Sequence, residues 1–183
     1  TVEAAKIVYL EGYLFDAEAA RRAFAKAAGL AHGAGRMIAL TLSDSFVVER
    51  HRAGLMGFIE TQVDLLFANE SEICALFETN DFDAAVAALR PHVKLAAITR
   101  SEAGSVILSQ GERLTVAAEP VEKVVDTTGA GDQYAAGFMF GLSRGRPLQQ
   151  CGQLASLAAA EVISHYGPRP QVSLKALAAA KGY

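Results

Sequence analysis

Short apolar runs alternate along the chain with stretches in which apolar residues recur every three or four positions, from residue 7 almost to the C-terminus. The runs at residues 7–10, 37–42, 63–67, 95–98, 105–108, 114–117 and 124–125 predict strands, and their alternation with helical patterns predicts an α/β fold with a largely parallel sheet. An alanine-rich helix is expected after Asp16, taken as its N-cap, ending near Gly29. Another follows Asp81 and stops at Pro91. From Gly131 onward Tyr134, Phe138 and Leu142 fall on one stripe, while Gly137 and Gly141 make a second, where missing side chains let a neighbour come close. A further helix carries Leu148, Cys151, Leu154, Ala158 and Val162, and a last one is capped by Ser173. Gln110-Gly111-Glu112 sits between two short runs and predicts a late antiparallel hairpin.

Composition narrows what such a fold can do. The chain has 183 residues, 51% of them hydrophobic, enough for one domain spanning 1–183 with a substantial core. A net charge of −3 and the lack of a Lys/Arg run argue against nucleic acid and membrane surfaces as partners, leaving a small-molecule ligand. Cys74 and Cys151 are far apart and lack metal-ligand spacing, so they are expected as buried thiols in a reducing compartment. No apolar stretch is long enough to span a membrane and no signal-peptide pattern is present, so a cytoplasmic protein is expected. His32, His51 and His92 show no metal or triad spacing and are expected at the surface. His165 is expected as a helix-terminal residue.

In open parallel sheets ligands bind beyond the carboxyl ends of the strands. Small polar groups follow each predicted parallel strand: Glu11 and Gly12; Thr41, Ser43 and Asp44; Asn69 and Glu72; Thr99 and Ser101; Asp126 and Asp132. The most specific of these is the stretch DTTGAGDQYAAGF at 126–138. A strand end, Gly129-Ala130-Gly131 and a helix start leave backbone N–H groups pointing one way at the positive end of a helix dipole, which attracts phosphate. An ordinary βα turn with Asp132 in the first helical turn would read the same. The loop is neither a Walker A sequence, lacking GK[ST], nor GxGxxG.

The stretch resembles the C-terminal signature of the ribokinase-like, or PfkB, family of carbohydrate and nucleoside kinases, D-T-x-G-A-G-D-x-F-x-x-G-F, with Tyr134 in place of Phe. Asn69-Glu70-Ser71-Glu72 is similar to the family's N-x-x-E motif, although a capping box would also read this way. Thr99 to Gly104 resembles its T-x-G-x-x-G nucleotide loop, with Ser101 where glycine is usual. Residues 11–14 and 42–44 look like the bacterial branch described as adenosine-kinase-like.

The resemblance implies a three-layer αβα, Rossmann-like fold and transfer of the γ-phosphate of ATP to a hydroxymethyl group of a sugar or nucleoside, adenosine being favoured. It implies Asp132 as general base, with the amides of Gly129, Ala130 and Gly131 receiving the developing charge. Asn69, Glu72, Thr99, Ser101, Gly104 and Gly131 would face the nucleotide, Glu72 in association with Mg2+. Asp126 and Thr128 match positions that bind an activating monovalent cation such as K+, with further ligands expected from residues 165–170. Members of the family are about twice this length, so the chain is expected to be the C-terminal nucleotide-binding portion, its N-terminal part and lid absent; a homodimer is compatible with it. The alternative is a nucleotide-binding fragment or pseudoenzyme without catalysis. A Rossmann-type dehydrogenase is disfavoured by the late glycine loop and the missing ribose-binding acid.

Overall fold

Six strands make one sheet in the order in which they occur in the chain: β1 (Ile7–Glu11), β2 (Met37–Thr41), β3 (Leu65–Asn69), β4 (Leu95–Thr99), β5 (Ser105–Ser109) and β6 (Glu112–Val116). β1 to β4 are parallel, with Leu10 opposite Leu40, Leu40 opposite Leu66 and Phe67 opposite Ala97. The α/β class and the terminal hairpin thus follow the sequence pattern. The computed structural model describes residues 1–183, and its contacts group them into two units, 1–99 with 108–113, and 100–107 with 114–183.

In the first unit β1 to β4 are joined by α1 (Glu18–Gly33), α2 (Ser45–Gln62), α3 (Glu70–Leu76) and α4 (Phe82–Leu89). The middle strands are apolar without alternation, as a sheet covered on both faces requires, and Ile38, Leu40, Leu65, Leu66 and Ile98 are fully buried. Leu55 and Ile59 of α2, Ile73 of α3 and Leu89 of α4 complete this core. Asp81 caps α4 as expected, its carboxylate accepting the amides of Asp83 and Ala84. Two expectations need correction. Asp16 is not the cap of α1, whose N-cap is Ala17 without a side-chain bond; its carboxylate instead accepts from Arg50 and lies 2.7 Å from His51 Nε2. The helix also runs past Gly29 to Gly33, because Ala28 and Ala31 are fully buried and continue its apolar stripe.

The second unit carries α5 (Ala130–Leu142), α6 (Leu148–Ile163) and α7 (Leu174–Ala180). Tyr134 and Phe138 are buried as the stripe predicts, as are Cys151, Leu154, Ala158 and Val162 of α6; Leu142 and Leu148 are half-buried. A Cβ on Gly137 would lie 2.6 Å from the Leu154 carbonyl and 2.8 Å from Ala155 Cα, so absent side chains let the two helix backbones meet. Ser173 caps α7 through the Ala176 amide. Residues 124–125 are not a strand: the amides of Val125 and Asp126 donate to the Ile163 carbonyl at the end of α6, so a helix terminus satisfies them where a ladder partner was expected.

Candidate active site

Each predicted site residue is placed by a strand end, a helix start or a short loop beside one. In the first unit β3 ends at Asn69 and α3 begins at Glu70. The Asn69 side chain accepts the Glu72 amide at 2.9 Å, while the Glu72 carboxylate accepts the Asn69 backbone N–H at 2.9 Å and its side-chain amide at 2.8 Å. This reciprocal pair is a capping box, and it draws Glu72 to 4% exposure. Burial pushes the Glu72 carboxyl up to about 7, against the Asn69 N–H bond that holds it down, and the nearby Asp44 carboxylate adds to the rise. Asp44 itself caps α2 through the Phe46 amide at 2.7 Å, and Ser43 before it has φ 69°. Thr99 ends β4.

In the second unit the glycine loop is tied down at both ends. Asp126 Oδ1 accepts the Thr128 amide at 2.9 Å and its hydroxyl at 2.6 Å, and Oδ2 accepts the Gly167 amide at 3.0 Å. The Thr128 hydroxyl, the Gly167 N–H and the Thr128 N–H together hold the Asp126 carboxyl down at about 2. The Ala130 amide donates to the Thr127 carbonyl at 3.1 Å, closing a turn that leads into α5. Gly129 is the N-cap of α5 with φ 79°, and a Cβ there would meet Pro168 at 2.6 Å; conformation and space both demand glycine. Gly131 and Asp132 follow in the first helical turn, both exposed, where the helix dipole favours a carboxylate.

The loop resembling a nucleotide loop also lies in the second unit from Arg100 onward. The Arg100 amide donates to the Gly104 carbonyl at 2.8 Å, and Ser101 adopts φ 50°. Serine therefore keeps the left-handed conformation for which glycine is better suited. Gly104 closes the loop at φ 83°.

The histidines pair with acids rather than with one another: His32 with Asp64, His51 with Asp16, His92 with Glu60 and His165 with Glu161. Neither cysteine is in a disulfide; Cys151 is a buried thiol as expected, whereas Cys74 is only half-buried. No helix is long and apolar enough to cross a membrane. Sequence reasoning missed Gln133, whose side-chain amide donates to the Pro168 carbonyl at 3.2 Å, and Glu161, whose carboxylate accepts the Gln171 and Val172 amides. The one signal for Glu161 is a lone acid inside the apolar run of α6.

Residues 1–174 match the pfkB family carbohydrate kinases. A cytidine kinase of Thermococcus kodakarensis is 40% identical over 121 residues, which cover 63% of this chain and 42% of that protein. The crystal structure of an adenosine kinase from Sinorhizobium meliloti is 50% identical and superposes with a TM-score of 0.95, covering 100% of this chain and 56% of that one. A probable sugar kinase protein from Rhizobium etli is 45% identical with a TM-score of 0.97, covering 99% and 55%. The chain thus spans about half the length of these relatives. With residues 1–174 matched in sequence and the whole chain in fold, the chain belongs to the pfkB family of carbohydrate kinases.

Proposed function

We propose that the protein is the phosphate-handling part of an ATP-dependent kinase that phosphorylates a hydroxymethyl group of a sugar or nucleoside, adenosine being the favoured acceptor. The observation that carries the reading is the pairing of Gly129, left-handed and packed against Pro168, with the exposed Asp132 one turn later. Backbone N–H groups at a helix start would accept the charge that develops on the phosphoryl oxygens, while Asp132 would take the proton of the attacking hydroxyl. In the state described here the Ala130 amide is engaged with Thr127, so Gly129 and Gly131 would carry more of that role. Family membership supports the reaction class. The 50% identity to an adenosine kinase over the whole chain supports the choice of acceptor.

Mg2+ would neutralise charge on the ATP phosphates. It keeps most of its water shell, which suits Glu72: its carboxylate is almost fully buried against Asn69, so Asn69 and Glu72 would meet the hydrated ion and the phosphates through water. Asp126 fits a monovalent cation such as K+. It is held ionised, and a carboxylate oxygen with one or two N–H or O–H donors still has lone pairs to offer. Thr128 would join it there, and Thr99, Ser101 and Gly104 would border the nucleotide.

A second reading, nucleotide binding without turnover, is favoured by Ser101, which holds a left-handed conformation where the family loop has glycine. Titration calorimetry with ATP and magnesium, beside a phosphotransfer assay on a panel of sugars and nucleosides, separates the two. Transfer that is abolished in Asp132→Asn while ATP still binds is the expected result. Unimpaired transfer by that variant would rule out Asp132 as the base.

A further inference from the structure

Glu161 is a carboxylate in a costly place. It lies in the last turn of α6, at the negative end of the helix dipole, on a helix whose neighbouring Ala158, Ala160 and Val162 are buried and apolar, and its own side chain is only 7% exposed. Oε1 accepts the Gln171 amide at 2.9 Å and the Val172 amide at 3.3 Å, with His165 Nε2 3.1 Å away. Oε2 is buried without a partner. A group left so poorly compensated lowers stability, and its contacts all run to one place, the segment after α6.

That segment is what the glycine loop leans on. Its Gly167 amide donates to Asp126, its Pro168 carbonyl accepts from Gln133 of α5, and its Pro168 ring fills the space that only glycine leaves at position 129. The Ile163 carbonyl between Glu161 and the segment takes the amides of Val125 and Asp126. Three of the loop's supports therefore hang on a strap whose far end is tied by one carboxylate.

We propose that Glu161 is a positioning residue for phosphoryl transfer: by pinning residues 165–172 it fixes Asp126, Gly129 and Gln133, and through them the start of α5 that carries Asp132. The strap itself follows from the geometry, and its catalytic consequence rests on the kinase reading above. The test compares Glu161→Gln, which keeps shape and one acceptor, with Glu161→Leu, which keeps bulk alone. Amide hydrogen exchange on the whole chain is read at Gly167, Gln171, Val172 and Thr128, and at Leu154 and Phe138 as references in the α5–α6 pair. At least tenfold faster exchange is expected at the first four in Glu161→Leu, a smaller rise in Glu161→Gln, and no change at the references. Unchanged exchange at Gly167, or a uniform rise everywhere, overturns the proposal, since a merely structural residue would loosen both sets alike. In the transfer assay Glu161→Leu should lower kcat at least tenfold, with the KM for the acceptor held within twofold and partial recovery in Glu161→Gln. A loosened strap with undiminished kcat overturns the positioning role and leaves the kinase reading standing. Absence of transfer in the unaltered chain selects the reading of nucleotide binding without turnover and removes the catalytic role of Glu161, while exchange still decides the strap.

Discussion

The Tyr134 hydroxyl donates to Ser105 Oγ at 2.7 Å, and both residues are buried, at 5% and 1% exposure. Tyr134 stands where the family signature has phenylalanine, so its ring fills a core site while its hydroxyl needs a partner that phenylalanine would not. Ser105, the first residue of β5, supplies it. Burial pushes the phenol up to about 12, so it stays a donor across the working range of pH. Tyr134→Phe should leave Ser105 Oγ without its donor and cost about 1–3 kcal/mol, seen as a fall in Tm. Adding Ser105→Ala should recover part of that loss. A double-mutant cycle with coupling below about 0.5 kcal/mol would show that the bond contributes nothing specific.

The approach of α5 to α6 makes a prediction of opposite sign to helix propensity. Alanine in place of a helical glycine ordinarily stabilises by about 1 kcal/mol. At Gly137 the new methyl would lie within 3 Å of the Leu154 carbonyl and Ala155 Cα, backbone atoms that cannot swing aside. Gly137→Ala should therefore destabilise, by about 1–3 kcal/mol as overpacking does. Gly57→Ala in α2, where nothing lies within 4 Å, should stabilise. Denaturant melts of the two variants check the contrast, and a more stable Gly137→Ala would mean that the helices part easily.

These cases also show which features a sequence carries. The buried strands were legible because a fully covered parallel sheet writes itself as unbroken apolar runs, and α4, α5 and α6 because their stripes are regular. The 18 residues of α2 were not read as a helix. Two glycines and four β-branched residues dilute their pattern, and His51 departs from helical geometry at φ −123° and ψ 18°. Asp16 looked like a cap because acids commonly are, yet the Arg50 and His51 side chains of α2 claim it, and no local pattern announces a partner 34 positions away. Residues 124–125 read as a strand since β-branched pairs usually are. Their true partner, the carbonyl of Ile163, is set by how α6 ends. The motifs that mark the candidate site are local and so were visible, whereas the strap from Glu161 is a tertiary arrangement.

Ser101 offers a test of how the loop of residues 99–104 holds its shape. A left-handed conformation costs an L-residue roughly 1–2 kcal/mol, while glycine gives back about 0.5–1 kcal/mol in the greater freedom of its unfolded chain. Ser101→Gly should therefore be neutral to stabilising by about 1 kcal/mol, raising Tm by up to ~4 °C. Ser101→Val, β-branched at φ 50°, should lower stability by about 1–3 kcal/mol. Thermal melts that rank valine at or above serine would show that the loop relaxes out of the left-handed region.

Glu72 and Asp126 give stability opposite slopes with pH. Glu72 is raised from 4.5 to about 7, so between these values the unfolded chain ionises it first and folding loses stability as pH rises. Asp126 is lowered from 3.8 to about 2; its contribution is complete above the unfolded value and disappears as pH falls through about 2. Stability measured from pH 4 to 8 should fall across the Glu72 window, and Glu72→Gln, neutral at every pH, should remove that fall. Asp126→Asn should flatten the curve below pH 4 and leave the upper window alone. Denaturant titrations at closely spaced pH values read both slopes. An unchanged fall between pH 4.5 and 7 in Glu72→Gln would mean that the buried carboxylate is ionised as readily in the fold as outside it, with the Asn69 bonds outweighing burial and Asp44.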